Sequence, residues 1–236
     1  MTAPDCRNPS GCPVPDPPDV DLRRLRLVYL ESGRTLHRVF ETAHSLLSFN
    51  DSGRGDARFS PLDGRAHLYG ADTRTVAFLE TVFHNVHALT PRLIYEATDL
   101  AGRGLGRLAV DRRVPLVDLR DQALGHLGLE RHQLVATTAA HYPCTRQWAD
   151  VLLDRRIGGI SPSGLLWNSR IAELAGADSP LLDDLLEGST SEVCVLYDDD
   201  RITLSDAGGG FTNLVGPTHG RLLLDQIAEQ LDATLL

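Results

Sequence analysis

The chain contains no lysine; all 23 of its basic residues are arginine. That absence excludes a P-loop lysine, a Schiff-base lysine for pyridoxal phosphate or aldol chemistry, and a Ser-Lys dyad. Any anion must then be held by arginine, backbone N–H groups or hydroxyls. Positive charge is scarce overall: the net charge is −9 and the pI about 5.4, which argues against a nucleic-acid binder. Long apolar runs are missing too, and none approaches the ~18 residues a membrane span needs. The opening stretch "MTAPDCRNPSGCPVPDPP" is polar and proline-rich, not a secretory leader. A cytoplasmic protein with reduced thiols is expected. No C-x-x-C pair occurs among Cys6, Cys12, Cys144 and Cys194. Cys6 and Cys12 could bind a metal with a histidine, but their spacing matches no common zinc pattern. They read as incidental cysteines of a floppy tail, and no metal is expected.

The 236 residues are enough for one large domain that buries a core without staples. Residues 1–20 read as a disordered, proline-rich tail and residues 21–236 as the domain. Val20 to Leu30 suggests a short helix and "RTLHRVFET" a strand. The chain is loop-like after Phe49, where Asn, Asp, Ser and Gly take turn positions. "RAHLYGA" is a short strand with Ala66, Leu68 and Gly70 on one side and His67 and Tyr69 on the other. "ADTRTVAFLETVFHNVHAL" is the best helix, capped by Asp72 or Thr73. Its apolar stripe runs through Val76, Leu79, Phe83 and Val86. Strands follow at "RLIYEATDL", "RLAVDR" and "VPLVDLR", a short helix at "DQALGHLGL" and a longer one at "YPCTRQWADVLLDRR". "GGISPS" reads as a short buried strand and residues 165–190 as irregular or helical. "EVCVLYDD" and "RITLSDA" read as a strand pair joined through "DDDR", and "RLLLDQIAEQLDATLL" as a terminal helix. The mixture lacks a regular βαβ rhythm, so an α+β domain is expected.

Few motifs carry chemistry. "GRGLGR" at Gly102 to Arg107 and "GGG" at Gly208 to Gly210 do not follow the dinucleotide fingerprint and read as turn glycines. His84 and His87 have metal-sharing spacing, with no third ligand suggested nearby. Ser163 in "SPSG" lacks a nucleophile elbow. Glu80 is more unusual, because it lies beside the apolar stripe of its helix rather than opposite it. Taken singly, Glu80 reads as a solvated helix residue, Arg58 as a loop ion-pair partner and Tyr69 as a half-buried strand aromatic.

Read together, these residues resemble a known family. "ARFSPLDGRAHLYGADTRTVAFLETVF" is similar to the core of the RES family, with its G/A-R-F/W segment, "LY-x-A" strand and "A-x-x-E" helix. "YPCTRQWADVLLDRRIGGISPSG" at Tyr142 to Gly164 resembles the family's later "Y-x-x-T-Q-x-W-A" helix and "G-I-x-x-S" segment, with Arg146 as an extra residue. "TLHRVF" resembles the opening strand and "EVCVLYDD" the closing one, so the likeness spans about residues 34–200. A C-terminal strand and helix extend beyond it.

The resemblance implies a fold like that of the ADP-ribosyltransferases. It also implies a bacterial toxin that destroys NAD+ as a phosphorylase or glycohydrolase and is neutralised by a separate Xre-type antitoxin. Oligomerisation could then arise through the antitoxin complex. The family's functional residues fall on Arg58, Tyr69, Glu80 and Ser163, with Arg38 as a second phosphate contact. His84, one turn beyond Glu80, would border the same pocket. NAD+ would be substrate rather than cofactor, and inorganic phosphate a co-substrate. In such a site the leaving nicotinamide is cationic and departs neutral, so one carboxylate suffices and no general acid is needed. Glu80 would stabilise the ribosyl cation, Arg58 and Arg38 would grip the pyrophosphate, Tyr69 would stack, and Ser163 would hydrogen-bond nicotinamide or ribose. The acceptor is left open between phosphate, water and a protein side chain. The last would make a protein ADP-ribosyltransferase, and a binding module without catalysis is the alternative class.

Overall fold

The computed structural model describes residues 5–83, 94–95, 100–170, 172, 190–210, 213–216, 218–231 and 233–235. Its strands are β1 (Leu27–Leu30), β2 (Thr35–Glu41), β3 (His67–Ala71), β4 (Ile94–Tyr95), β5 (Arg103–Val110), β6 (Val114–Asp118), β7 (Gly164–Asn168), β8 (Glu192–Tyr197), β9 (Leu204–Asp206) and β10 (Thr234–Leu235). The α-helices are α1 (Arg74–Thr81), α2 (Asp121–His126), α3 (Tyr142–Leu153) and α4 (His219–Gln230). Eight strands form one sheet in the order β1-β6-β7-β8-β3-β2-β5-β9, and β4 pairs with β10 apart from it. Within the large sheet only β6 and β7 run parallel, and α2 and α3 lie in the crossover that parallel neighbours require. The fold is α+β, as the mixed pattern of the sequence implies.

Strand alternation divides the core between the two faces of the sheet. Along β3, Leu68 joins a smaller cluster with Leu36, Leu116 and Leu196, while Tyr69 and Ala71 face a larger one. The larger cluster takes in Phe78 of α1, Trp148 of α3 and Leu224 of α4, so the helices cover this face. The apolar stripe of α1 is buried there: Val76, Phe78, Leu79 and Phe83 have no exposed surface. Thr73 caps the helix by accepting a hydrogen bond from the Val76 N–H at 3.2 Å.

Several sequence expectations need correction. Asp5 to Val20 is not a loose tail: it lies on the body with Cys6, Val14 and Pro17 buried. The Trp148 indole donates to the Pro15 carbonyl at 2.7 Å and the Arg7 N–H to the Ala140 carbonyl at 3.1 Å. Proline removes donors and stiffens the chain without preventing packing, and here the apolar side chains of the segment pack under it. Val20 to Leu30 holds one short 3₁₀ turn, Leu22–Arg24, and then β1, whose pairing with β6 overrides helical preference. "GGISPS" is a turn closed by Ile157 and Ile160, and the strand is β7, immediately after it. Gly164 at its start is required by close approach, because a Cβ there would stand 2.2 Å from the Val195 carbonyl oxygen. β8 and β9 are not a hairpin: β8 lies between β7 and β3, and β9 pairs with β5 at the sheet edge. Of "GRGLGR", only Gly102 is a turn glycine, and Gly104 and Gly106 lie inside β5 opposite Phe40 and Arg38. A Cβ on Gly106 would strike the Leu46 side chain.

Candidate active site

Three segments bring the sequence-selected residues together on the helix-covered face. The first is the loop before β3. The Arg58 guanidinium donates from one nitrogen to the Thr137 carbonyl at 2.9 Å and its hydroxyl at 2.6 Å. It also sits over the Tyr142 ring, 5.2 Å from the centroid. The Thr145 hydroxyl donates to the Arg58 carbonyl, so the first turn of α3 holds both the side chain and the backbone of this residue.

The second segment is β3. The Tyr69 hydroxyl oxygen accepts from the Ser60 hydroxyl at 3.2 Å and the Phe59 N–H at 3.4 Å. Its ring packs edge-on to Trp167 at 6.2 Å between centroids, and Phe59 meets the same indole at 5.1 Å. Burial pushes the Tyr69 phenol up to about 12, so it is a neutral hydrogen-bonding and stacking group at physiological pH rather than a base.

The third segment is α1 with the chain leaving β7. Glu80 is half-buried at the edge of the stripe, and its Oε1 accepts a 2.6 Å bond from the Ser169 hydroxyl. Ser169 is completely buried. Its Oγ accepts from the Ala172 N–H at 3.1 Å, which fixes the hydroxyl proton toward the carboxylate. Burial lowers the Arg58 pKa from its ordinary value; the Tyr142 and Glu80 charges oppose the shift, and Arg170 reinforces it. Arg58, Glu80, Tyr142, Arg170 and Tyr69 therefore share one electrostatic neighbourhood. The Arg170 Nε is buried without a partner among the described residues.

Two selected residues lie elsewhere. Ser163 precedes β7, whereas Ser169 follows its last residue, so the strand separates them. The Ser163 hydroxyl donates to Asp199 at 2.8 Å, and Asp199 also accepts from Arg201 at 2.9 Å. Ser163 thus serves a corner of the sheet, and Ser169 is the serine that meets Glu80. Arg38 projects from the opposite face of the sheet, on the side of Leu36 and Leu46. It donates to the Leu46 and Ser48 carbonyls at 2.6 and 2.8 Å, fixing that loop. His84 and His87 lie outside the described residues. An open cleft of about 600 Å³ lined by Asn50, Asp63, Arg65 and Asp198 contains none of the clustered residues. Sequence reasoning missed Ser169, Arg170, Thr137 and the role of Tyr142. The available signal was "LLWNSR", where a buried apolar run ends on a serine and an arginine at the carboxyl end of a parallel strand, a usual place for ligand groups.

The family model described as RES domain matches residues 35–178, more than half of the chain. The chain belongs to the RES family. Every member of the Arg58, Tyr69, Glu80 and Ser169 cluster lies inside the matched RES region. Among solved structures, a chain from the crystal structure of the M. tuberculosis MbcT–MbcA toxin–antitoxin complex is similar, with 15% identity and a TM-score of 0.50. The similarity covers 87% of this chain and 93% of that one, so the RES fold here is shared with it nearly end to end. No curated protein matches. Among the described residues, no helix is long and apolar enough to cross a membrane.

Proposed function

We propose that this RES protein consumes NAD+ by breaking the nicotinamide–ribose bond. The observation that carries the reading is Glu80, a carboxylate held by a buried serine beside an anchored arginine and a neutral tyrosine. As the bond breaks, nicotinamide leaves with the electron pair as a neutral pyridine and positive charge develops on the ribosyl carbon. A fixed carboxylate stabilises that charge, more strongly in a partly buried site than in water. The Ser169 hydroxyl holds the plane of the carboxylate, so little reorganisation is needed as the cation forms. Arg58 faces the substrate pyrophosphate, and Arg170 takes the second cationic role expected of Arg38. Phosphate then adds an anionic oxygen to the ribosyl carbon and gives ADP-ribose 1″-phosphate, or water adds its oxygen, gives up a proton to solvent and yields ADP-ribose.

The fold shared with a chain of a toxin–antitoxin complex supports a toxin's role and a separate antitoxin partner, and the family resemblance makes that antitoxin one of the Xre type. The test is incubation of purified protein with NAD+, with and without phosphate, and identification of products by mass. Nicotinamide with a phosphorylated ADP-ribose marks a phosphorylase, and nicotinamide with ADP-ribose marks a glycohydrolase. ADP-ribose attached to protein would replace both with a transferase. NAD+ left intact by antitoxin-free protein at every phosphate concentration would end the proposal.

A further inference from the structure

Three of the four cysteines meet at one place outside the candidate active site. Cys6 and Cys12 come from the N-terminal segment and Cys144 from the first turn of α3, and their sulfurs all lie within 4.8 Å of one another. The Cys12 and Cys144 sulfurs are 3.6 Å apart, and the Cys6 sulfur is 3.6 Å from Nδ1 of His141, the residue before α3. All four cysteines are thiols rather than disulfides. From these positions we infer that Cys6, Cys12, Cys144 and His141 form a structural zinc site that fastens the N-terminal segment to α3.

The geometry fits that ion. A tetrahedral zinc with bonds of ~2.3 Å to sulfur and ~2.0–2.1 Å to nitrogen places neighbouring sulfurs ~3.8 Å apart and sulfur and nitrogen ~3.6 Å apart. The two closest contacts lie near those edges, and the other sulfur pairs need to close by about an ångström at most; His141, which meets Cys6, would complete the set by turning its ring toward the other two sulfurs. The donor set is soft and contains no oxygen, which suits zinc and excludes magnesium and calcium. Cys6, Cys144 and His141 are at most 8% exposed, and Cys12 is partly buried. Four protein ligands in such a place leave no open position for substrate, the mark of a structural rather than a catalytic zinc. The N–H groups opening α3 favour the Cys144 thiolate. A Cys12–Cys144 disulfide would use two sulfurs and leave Cys6 and His141 with only the contact they make to each other. The C-x₅-C and H-x-x-C pairs lie more than a hundred residues apart in the chain, so their spacing conceals a site that only the fold assembles.

The same turn of α3 carries Tyr142 and Thr145, which hold Arg58. The metal would therefore steady the turn on which Arg58 depends, while standing apart from the reaction proposed above.

The test is metal analysis of the full chain purified under reducing conditions without chelator. About one zinc per chain is expected, falling at least about tenfold in Cys12→Ser and Cys144→Ser and unchanged in Cys194→Ser, whose thiol is buried in β8 on the other face. If the serine variants fail to fold, wild-type protein still decides the matter. Mercurial titration of its thiols should release about one zinc, and cobalt exchange should give the visible bands of a tetrahedral thiolate site. A folded chain with less than about a tenth of an equivalent of zinc, cobalt, iron or copper would overturn the inference. So would a metal-free chain carrying a Cys12–Cys144 disulfide.

Discussion

At the scale of single residues, the site depends on how each polar group is fixed. Glu80 is held by the Ser169 hydroxyl at 2.6 Å, and Ser169 is itself oriented by a backbone N–H. Ser169→Ala should release the carboxylate and lower NAD+ turnover about tenfold, the scale of one charge-assisted hydrogen bond of ~1.5 kcal/mol. Ser163→Ala removes a bond to Asp199 at the far end of β7, and steady-state kinetics should place it within about twofold of wild type, with a modest loss of stability. The reverse ranking would favour Ser163 as the serine that serves turnover. Burial raises the Tyr69 phenol to about 12. Its proton therefore stays in place at every working pH, and a pH–rate profile should show no basic limb that Tyr69→Phe abolishes.

At the scale of elements, β3, α1 and the turn after β7 build the site, and their legibility in the sequence differed for physical reasons. β3 and α1 declare themselves through alternation and a capped apolar stripe, and these placed Tyr69 and Glu80 correctly beside the core. β7 is buried on both sides between β6 and β8. Its "GLLWN" run has no period to read, which hides both the strand and the Ser169 that follows it. Arg38 lies on the face opposite Tyr69, and strand parity cannot say which face of a sheet the helices cover. The N-terminal segment was misread because composition does not reveal the partner it packs on. Trp148 of α3 bonds to Pro15 and lies in the same core as Val14. Deleting residues 1–20 should therefore expose that core and cost on the order of 2–4 kcal/mol, comparable to large core truncations, visible as a lower midpoint in urea. An unchanged midpoint would restore the segment to a loose tail.

At the scale of the whole molecule, an acidic, lysine-free chain folds around one large sheet whose two faces have different duties: one carries the helices and the site, the other a smaller apolar layer. His37 and His67 stand on this sheet with pKa values lowered from 6.5 to about 4, chiefly by burial and then by neighbouring arginines. The unfolded chain would take up protons that the fold refuses between those values. Their contribution to stability is therefore complete above pH 6.5 and is lost as the pH falls toward 4. Denaturant midpoints should fall through that window, and less steeply in a His37→Gln, His67→Gln double variant. The central claim, that Glu80 stabilises a ribosyl cation formed from NAD+, is tested most directly by the kcat of Glu80→Gln, which keeps shape and removes charge. The account predicts a fall of at least about 100-fold, or ~2.7 kcal/mol of transition-state stabilisation, with KM for NAD+ little changed. A variant turning over NAD+ at nearly the wild-type rate would contradict it.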